Sequence, residues 1–300
     1  FTAGPVLLSK LIRRPIITEV NGFTPDEVDL ELKLGKISPL RSLFIRSLER
    51  FNYKFSDKLI VVAPQIRDKI HEYYGIPLDK MAVILNGVNI ERCRPMEKRE
   101  VCDRIGLDPT YRYVGFVGYL FPWDGVEYLI KCAKEVVTSI EKVRFLVIGH
   151  GLWGEHLPDK VAEEGVEDHF IFTGRVPWEE LPFYINAFDI GTAPYTAGIN
   201  EKSGRSSLKL LEYFACGKPA VVSDVKGVPE VHLLKREGLG LAVPPEDPHA
   251  LAQAIIDLLR DDGSIERMGK RAREVVEKER SWKKVTEETV KLMQELVERK

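Results

Sequence analysis

The sequence predicts an α/β protein with two doubly wound parallel-sheet domains of the Rossmann type. Its 300 residues are enough for two domains, each with its own core. In the second half of the chain, short apolar runs alternate with amphipathic stretches, and the loops between them are short. This alternation is typical of parallel strands whose connecting helices cover both faces of a sheet. We expect a first domain with its linker at 1–95, a second domain at 96–279 and a final helix at 280–300.

The first domain is predicted to contain three helices and three strands. Periodic apolar positions indicate the helices, and β-branched or apolar runs indicate the strands. The helices are expected at 6–12, 40–55 and 65–74, and the strands at 15–20, 58–62 and 81–85. The acidic segment 21–38 is broken by glycine and proline, so we expect an irregular loop there. Asn86-Gly87 is a turn dipeptide, and the interdomain linker is expected to follow it at 88–95.

The helix at 40–55 admits two interpretations. Its apolar side chains share one face, and basic side chains cover the rest. The apolar set is Leu40, Leu43, Phe44, Leu48, Phe51 and Phe55, and the basic set is Arg41, Arg46, Arg50 and Lys54. We favour a core helix with a solvated basic face, because the strand that follows needs a packing partner. The alternative is an amphipathic helix that makes a peripheral contact with an anionic membrane surface.

The second domain is predicted to contain six strands, each followed by a helix. The strands are expected at 113–117, 144–148, 170–172, 190–193, 220–222 and 239–242. The helices are expected at 126–138, 152–164, 179–187, 207–215, 228–234 and 248–260. Two charged helices follow at 265–278 and 282–298.

Composition and charge argue against several classes of function. The 44 basic and 46 acidic side chains nearly balance, which gives no reason to expect a nucleic-acid partner. The four cysteines form no CxxC pair and have no metal-ligand spacing, as is usual in a reducing compartment. No apolar run approaches the roughly 18 residues that a membrane span needs. We therefore expect a cytoplasmic protein, with the inner face of the membrane as its alternative location.

The segment 204–219 carries the strongest indication of a ligand site. Its helix is expected to begin at Ser206 or Ser207, since serine is a preferred N-cap, and to end at Gly217. The helix begins where a strand and a glycine-containing loop lead into it. Such an N-terminus binds anions, because its free N–H groups point outward and its dipole favours negative charge.

Charged side chains at this N-terminus suggest what the anion is. Arg205 and Lys209 flank the start of the helix, and Glu212 lies three residues beyond Lys209 on the same face. The set suits a diphosphate at the helix end, with Glu212 accepting hydrogen bonds from the hydroxyls of an attached sugar. The alternative is an ordinary strand–helix unit in which these side chains are solvated surface charges.

The helix and the strand after it read Leu210-Leu-Glu-Tyr-Phe-Ala-Cys-Gly-Lys-Pro-Ala-Val-Val-Ser223. This segment closely resembles the nucleotide-binding signature of the retaining glycosyltransferases of family 4, the GT-B "group 1" enzymes. Five further segments match that family in the same order: Leu85-Asn-Gly-Val-Asn89, Val114-Gly-Phe-Val-Gly118, Phe145-Leu-Val-Ile-Gly-His-Gly151, Phe172-Thr-Gly-Arg-Val176 and Gly240-Leu-Ala-Val-Pro-Pro245. The chain opens within what resembles the middle of the family's N-terminal domain, so we expect the first strands of that domain to be missing.

The resemblance implies transfer of a sugar from a nucleoside-diphosphate donor to a carbohydrate or lipid-linked acceptor, with retention at the anomeric carbon. It implies catalytic roles for Arg205, Lys209 and Glu212, with Glu212 on the ribose. The donor-binding residues that it implies are Gly118, Tyr119, Gly149, Gly151, Gly174, Arg175, Val176, Tyr195, Gly204, Ser206, Ser207 and Leu208. It also implies that the donor phosphate takes the acceptor's proton, and that the final helix returns to the N-terminal domain.

This sequence departs from the family pattern at three positions. Many members carry arginine and lysine where Tyr119 and Asp124 stand, and those cations grip the donor diphosphate. The first of the family's two glutamates falls on Gly204. The run Ser206-Ser-Leu-Lys209 resembles a subset that keeps only the second glutamate, so Arg205 and Lys209 are candidates to replace the missing cations. A degenerate or truncated transferase that binds a nucleotide or a partner without turnover is the alternative function.

Two further patterns in the sequence bear on cofactors and metals. Gly149-His-Gly-Leu-Trp-Gly154 matches the dinucleotide fingerprint, but the next strand ends Phe172-Thr-Gly174 and offers no acidic residue for a ribose. We interpret that loop instead as part of the donor site, and Gly174-Arg-Val176 as the segment that reads the nucleobase. The histidines are scattered and no Asp-x-Asp motif occurs. We therefore expect no metal, no cofactor and metal-independent catalysis.

Overall fold

The computed structural model describes residues 3–33, 35–151 and 153–298, and the chain divides into two compact units. The first unit comprises Phe1–Asn86, Lys202–Ser206 and Lys283–Lys300. The second comprises Gly87–Glu201 and Ser207–Trp282. Both contain parallel strands with helices, so the predicted α/β class is confirmed.

The first unit contains a three-stranded parallel sheet in the order β1-β2-β3. Its elements are α1 (Gly4–Leu11), β1 (Ile17–Val20), α2 (Thr24–Lys33), α3 (Pro39–Phe55), β2 (Lys58–Val61), α4 (Pro64–Tyr74) and β3 (Met81–Val83). Strand β2 lies in the middle, and Leu59 and Val61 are fully buried against Ile66 and Ile70 of α4. The three strands predicted for this part of the chain are confirmed.

The segment predicted as an irregular loop, 21–38, contains helix α2, so that prediction was wrong. Proline suits the first turn of a helix, where an N–H has no intrahelical acceptor, and Pro25 lies in the first turn of α2. Val28 is buried, and Lys69 of α4 pairs with Asp26 at 2.6 Å. Gly35, with φ of 67°, follows the helix. The proline and the glycine bracket a helix in this segment.

Helix α3 buries a different face from the one predicted. Its buried residues are Ser42, Glu49, Asn52 and Tyr53. The apolar side chains of Leu40 and Phe44 are 77% and 66% exposed, so the core-helix interpretation is corrected for this face. Burial of Glu49 is possible because the hydroxyls of Tyr53 and Tyr74 both donate to its carboxylate.

The second unit is built on a six-stranded sheet in the order β6-β5-β4-β7-β8-β9, and all of its pairings are parallel. The strands are β4 (Arg112–Val117), β5 (Val143–Ile148), β6 (Phe170–Gly174), β7 (Ile190–Ala193), β8 (Ala220–Ser223) and β9 (Gly240–Val243). All six predicted strands are confirmed. Successive residues of β4 face opposite apolar clusters: Tyr113 and Val117 face one, and Val114 and Phe116 face the other.

The remaining helices follow the strands along the chain. They are α5 (Lys98–Ile105), α6 (Val126–Ser139), α7 (Leu157–Glu164), α8 (Leu181–Ala187), α9 (Ala197–Ser203), α10 (Leu208–Ala215), α11 (Pro229–Glu237), α12 (Pro248–Leu259), α13 (Asp262–Glu279) and α14 (Trp282–Glu298). Helices α5 and α9 were not predicted. The helix predicted at 152–164 begins at Leu157 after a short 3₁₀ turn, and Leu152 lies outside the described residues. None of the described helices is long and apolar enough to cross a bilayer.

The strand order of the second unit identifies where a ligand can enter. From β4 the chain adds β5 and β6 on one side, and then returns to place β7, β8 and β9 on the other. The loops that leave β4 and β7 therefore diverge at neighbouring strand ends. In open parallel sheets, ligands bind in the crevice that such a reversal opens beyond the carboxyl ends of the strands.

Candidate donor-binding site

The loops after β4 and β5 are packed backbone against backbone. The N–H of Leu120 donates to the carbonyl of His150 at 2.9 Å, and Gly149 has φ of 140°. A Cβ on Gly149 would lie 1.8 Å from the carbonyl oxygen of Gly118, and one on Gly151 would lie 2.6 Å from the nitrogen of Leu120. Only glycine allows this approach. The Gly149 motif is therefore explained by close packing of two loops at the strand ends.

The far end of the β4 loop is fixed to the loop after β7. Gly125 has φ of 72°, and a Cβ there would lie 1.8 Å from the carbonyl oxygen of Pro194. The N–H of Thr196 donates to the carbonyl of Trp123 at 3.2 Å, and the side chain of Asn200 donates to the same carbonyl at 2.8 Å. The carbonyl of Trp123 thereby joins the loop after β4 to the segment that follows β7.

The segment predicted to read the nucleobase lies at the end of β6. The N–H of Gly149 donates to the carbonyl of Gly174 at 2.9 Å, which joins this segment to the β5 loop. Arg175 is exposed, and Val176 is half-buried against the core. Tyr119 is also exposed, and its ring lies 4.3 Å from that of Phe121 and 5.1 Å from that of His150.

Helix α10 begins as predicted, with Ser207 as its N-cap, but the side chain of Ser207 does not cap it. The hydroxyl of Ser207 instead shares a 2.6 Å hydrogen bond with the hydroxyl of Tyr195, and both residues are buried. The N–H of Ser207 donates to the carboxylate of Glu230 at 2.7 Å. Glu230 is fully buried on α11. The amide of Ser207, predicted to bind phosphate, is therefore already engaged by a carboxylate.

Lys209 is buried in the first turn of α10 and pairs with Asp124. Its ammonium lies 2.8 Å from the carboxylate, and the two side chains are 9% and 2% exposed. It also lies 4.1 Å from the ring centre of Phe116, and its Nζ is 2.8 Å from where a Cβ on Gly118 would be. The structure thus places the lysine predicted to replace a missing cation against Gly118, the glycine that follows β4. Asp124 balances that charge.

Glu212 lies one turn further along α10 and is paired with Arg92. The Nη2 of Arg92 donates to Oε1 of Glu212 at 3.3 Å, and the glutamate side chain is 14% exposed. The guanidinium of Arg92 stacks on the ring of Trp178, 3.2 Å from its centre. Burial raises the pKa of Glu212 to about 7, and the charge and hydrogen bond of Arg92 oppose that rise. Glu212 is thus a buried acid that titrates near neutrality, rather than a solvated surface charge.

The three residues before Ser207 belong to the first unit. Gly204 is buried with φ of 68°, and a Cβ there would lie 2.6 Å from Cβ of Gln65. A glutamate at this position would strain the backbone and crowd Gln65. Arg205 and Ser206 are half-buried, and Leu208, the first residue of α10, is exposed.

Sequence reasoning missed three residues of this site. Arg92 lies in the segment predicted as a linker, Trp178 lies beyond the base-reading segment, and Glu230 lies within the helix predicted at 228–234. Only Glu230 had a signal, because an acid just after Pro229 sits in the first turn of a helix, where negative charge is favoured. Among the residues that the structure describes, no cluster of three or more histidine, cysteine or acidic side chains is placed to hold a metal.

Two family models match this chain. One, described as "Glycosyl transferases group 1", matches residues 111–261, which is half of the chain. The other, described as "Glycosyltransferase Family 4", matches residues 1–92. The chain belongs to the group 1 glycosyltransferases. The first match spans β4 to α12, the part of this group 1 chain that forms the crevice described above.

Curated relatives carry glycosyltransferase names. An uncharacterised glycosyltransferase of Methanocaldococcus jannaschii is 28% identical over 250 residues, 82% of this chain and 62% of the relative. A D-inositol 3-phosphate glycosyltransferase of Corynebacterium glutamicum is 31% identical over 218 residues, 69% of this chain and 50% of the relative. A GDP-mannose-dependent α-(1-6)-phosphatidylinositol monomannoside mannosyltransferase of Mycobacterium tuberculosis is 26% identical, over 76% of this chain and 59% of the relative. The chain therefore spans 50–62% of the length of these relatives.

Two solved structures share the fold of this chain. The HepE protein of Anabaena, solved in complex with UDP, superposes with a TM-score of 0.77 at 18% identity, over 97% of this chain and 75% of its own. Sucrose-phosphate synthase of Thermosynechococcus elongatus superposes with a TM-score of 0.70 at 24% identity, over 85% of this chain and 62% of its own. At these identities the likeness establishes the GT-B architecture.

Proposed function

We propose that this group 1 glycosyltransferase transfers a sugar from a nucleoside-diphosphate donor to an acceptor with retention at the anomeric carbon. The observation that carries the proposal is the position of α10. Its first turn lies beside the end of β4, where the strand order reverses, with Lys209 against Gly118. A helix N-terminus at such a crevice is suited to a diphosphate.

Two parts of the donor, the diphosphate and the ribose, bind at different positions along α10. The diphosphate meets the first turn, where N–H groups lack intrahelical acceptors and the helix dipole favours negative charge. The amide of Ser207 already donates to Glu230, so the backbone amides of the residues that follow it bind the diphosphate. Preorganised donors of this kind stabilise the charge that develops on the leaving diphosphate. The ammonium of Lys209 adds a positive charge, which the carboxylate of Asp124 partly offsets. For Arg205, the proposed contact with the diphosphate rests on the sequence alone.

Glu212 binds the ribose of the donor in this proposal. Its Oε1 is engaged by Arg92, while no partner is shown for Oε2 among the described residues. A carboxylate oxygen that accepts from hydroxyl groups contributes about 1.5–3 kcal/mol. The nucleobase then lies toward Gly174, Arg175 and Val176. The donor phosphate takes the acceptor's proton, so the proposal needs no side-chain base.

Names of similar proteins support the donor class. The HepE protein of Anabaena was solved with UDP and with UDP-glucose, and the mycobacterial relative is named for GDP-mannose. The relatives' names include D-inositol 3-phosphate and phosphatidylinositol monomannoside, and these compounds support a carbohydrate or lipid-linked acceptor here. We also propose that turnover needs no metal, and that the protein works in the cytoplasm or at the inner face of the membrane.

A second candidate function is a module that binds nucleotide without turnover. The observation that favours it is the neutralised charge at α10, because Lys209 pairs with Asp124 and Glu230 occupies the first amide. Such a site binds diphosphate less strongly than one with two uncompensated cations, and it stabilises a leaving group less.

The proposal is tested with a panel of nucleotide sugars, first by thermal stabilisation and then by transfer. A donor that binds raises the melting temperature by mass action. With a stabilising donor and inositol phosphate or phosphatidylinositol as acceptor, NMR of the product should show the donor's anomeric configuration in both EDTA and buffer. An inverted product, or turnover that only a divalent metal restores, contradicts the mechanism. Stabilisation without turnover or donor hydrolysis supports the binding module.

A further inference from the structure

Arg92 is held rigidly and faces Glu212. Its own N–H and that of Glu91 donate to the side chain of Asn89, at 2.9 and 3.2 Å. Its guanidinium is clamped between the ring of Trp178 and the carboxylate of Glu212, and it also donates to the carbonyl of Trp178. Stacking and hydrogen bonding fix the plane of a guanidinium, which an ammonium does not offer. These contacts therefore hold the guanidinium of Arg92 against Oε1 of Glu212, the carboxylate proposed to bind the ribose.

We propose that Arg92 is a positioning residue that favours the ionised form of Glu212 and fixes its orientation, so that Oε2 accepts the ribose hydroxyls of the nucleotide. The inference rests on the proposed function, because it assigns Glu212 to the ribose. Arg92 itself does not contact the nucleotide in this arrangement. It acts by pinning Oε1 at 3.3 Å and by supplying the charge that an otherwise buried carboxylate needs.

The chemistry requires the ionised form. A carboxylate accepts at both oxygens, whereas a protonated carboxyl has a donor of its own and accepts less well. Burial alone favours the protonated form near neutral pH, and Arg92 is the group that opposes it. Ribose hydroxyls that donate to Glu212 bind the ionised form, so discrimination in favour of ribose should increase as the pH rises through about 7.

Other ionisable groups lie around Glu212, and their titration must be distinguished from that of Glu212. They are Cys93 beside Arg92, Tyr213 on α10 and Cys216 at its C-terminal end, and Arg273 of α13 in turn lies near Cys93. Burial raises the pKa of Tyr213 and of Cys216 well above their usual range. The hydrogen bond from Cys216 lowers the pKa of Cys93, which makes this thiol the competitor to control. Arg273 donates to the carbonyls of Ile90, Cys93 and Ala215.

The experiment measures the affinities of UDP, GDP and ADP and of their 2′,3′-dideoxy analogues between pH 5.5 and 9. The ratio of the two affinities cancels titration of the phosphates. In the wild type this ratio should rise about tenfold between pH 6 and 8, with a midpoint near 7. In Arg92→Gln the midpoint should move up by about one pH unit or more, since a neighbouring opposite charge shifts a pKa by that amount. Arg92→Lys should restore the midpoint in part.

Matched variants distinguish the possible outcomes. Arg94→Gln removes an exposed arginine two residues away and should leave the midpoint unchanged. Cys93→Ala should also leave it unchanged, and a pH dependence that disappears in this variant overturns the inference. A pH profile of Arg92→Gln that coincides with that of the wild type also overturns the inference. If the wild type discriminates ribose and Glu212→Gln does not, the proposed function stands even where the Arg92 inference fails. If the wild type binds none of the nucleotides, both fall.

Discussion

Replacing Glu212 with glutamine should raise the stability of the protein relative to the wild type progressively as the pH rises from 4 to 8. The pKa of Glu212 is about 7 in the folded protein, against 4.5 for a free glutamate side chain. Below pH 4.5 both the folded and the unfolded state hold the proton, so the carboxyl has no differential effect. Between these values the unfolded chain releases its proton while the folded protein retains it, and stability falls as the pH rises. Above about pH 7 the loss is complete and constant.

The size of the effect follows from the two pKa values. They differ by about 2.5 pH units, and each unit corresponds to about 1.4 kcal/mol, so the wild type loses about 3 kcal/mol across this window. Glutamine does not titrate. The free energy of unfolding of Glu212→Gln minus that of the wild type should therefore rise by about 3 kcal/mol between pH 4 and pH 8. The absolute offset also contains the changed contact with Arg92, so the pH dependence is the quantity to compare.

Denaturant titrations at half-unit pH steps give this difference directly. Glu163→Gln is the control, because it removes an exposed carboxylate from α7 in the same unit. A difference for Glu212→Gln that stays flat from pH 4 to pH 8, or that falls with pH, refutes the conclusion that burial dominates the environment of Glu212.

Two further predictions concern the packing around the crevice. Lys209→Met should cost about 3–5 kcal/mol of unfolding free energy, because it removes one member of a buried ion pair, and the double variant with Asp124→Asn should recover most of that loss. Equal losses in the single and double variants, measured by denaturant titration, contradict a strong ion pair. Gly125→Ala should cost about 2–5 kcal/mol, since a Cβ would lie 1.8 Å from the carbonyl of Pro194 at a positive φ. The control is Gly165→Ala, with a similar φ of 67° and open space around it, which should cost only about 1–2 kcal/mol; equal losses remove the steric argument.

The strands were predictable from the sequence because each is a short apolar run bounded by turn residues. The run 190–193 lies between Asp189 and Pro194, and it appears as β7 with those bounds. Helix boundaries marked by glycine were similarly clear. Helix α2 was missed because Pro25 and Gly35 were interpreted as loop residues, although they suit the start and the end of a helix. Composition alone did not distinguish proline and glycine in a loop from proline and glycine at the two ends of a helix.

The partners of the site residues were not predictable from the sequence. Lys209 and Asp124 are 85 residues apart in the chain, and Arg92 and Glu212 are 120 apart. Each pair depends on how a loop packs against helix α10 in the folded chain, which hydrophobic periodicity does not encode. The exposed apolar face of α3 was missed for a related reason. The hydrogen bonds of two tyrosines make a buried glutamate acceptable, so the polar face could turn inward.

A crystal structure of the protein with a nucleoside diphosphate tests the central claim most directly. The account predicts the diphosphate at the first turn of α10, beyond the end of β4, with a ribose hydroxyl within hydrogen-bonding distance of Oε2 of Glu212 and with Arg92 still on Oε1. The ring of the base should lie beside the segment from Gly174 to Val176. A nucleotide bound elsewhere on the protein, or one at α10 whose ribose does not contact Glu212, would contradict the assignment of this crevice as the donor site.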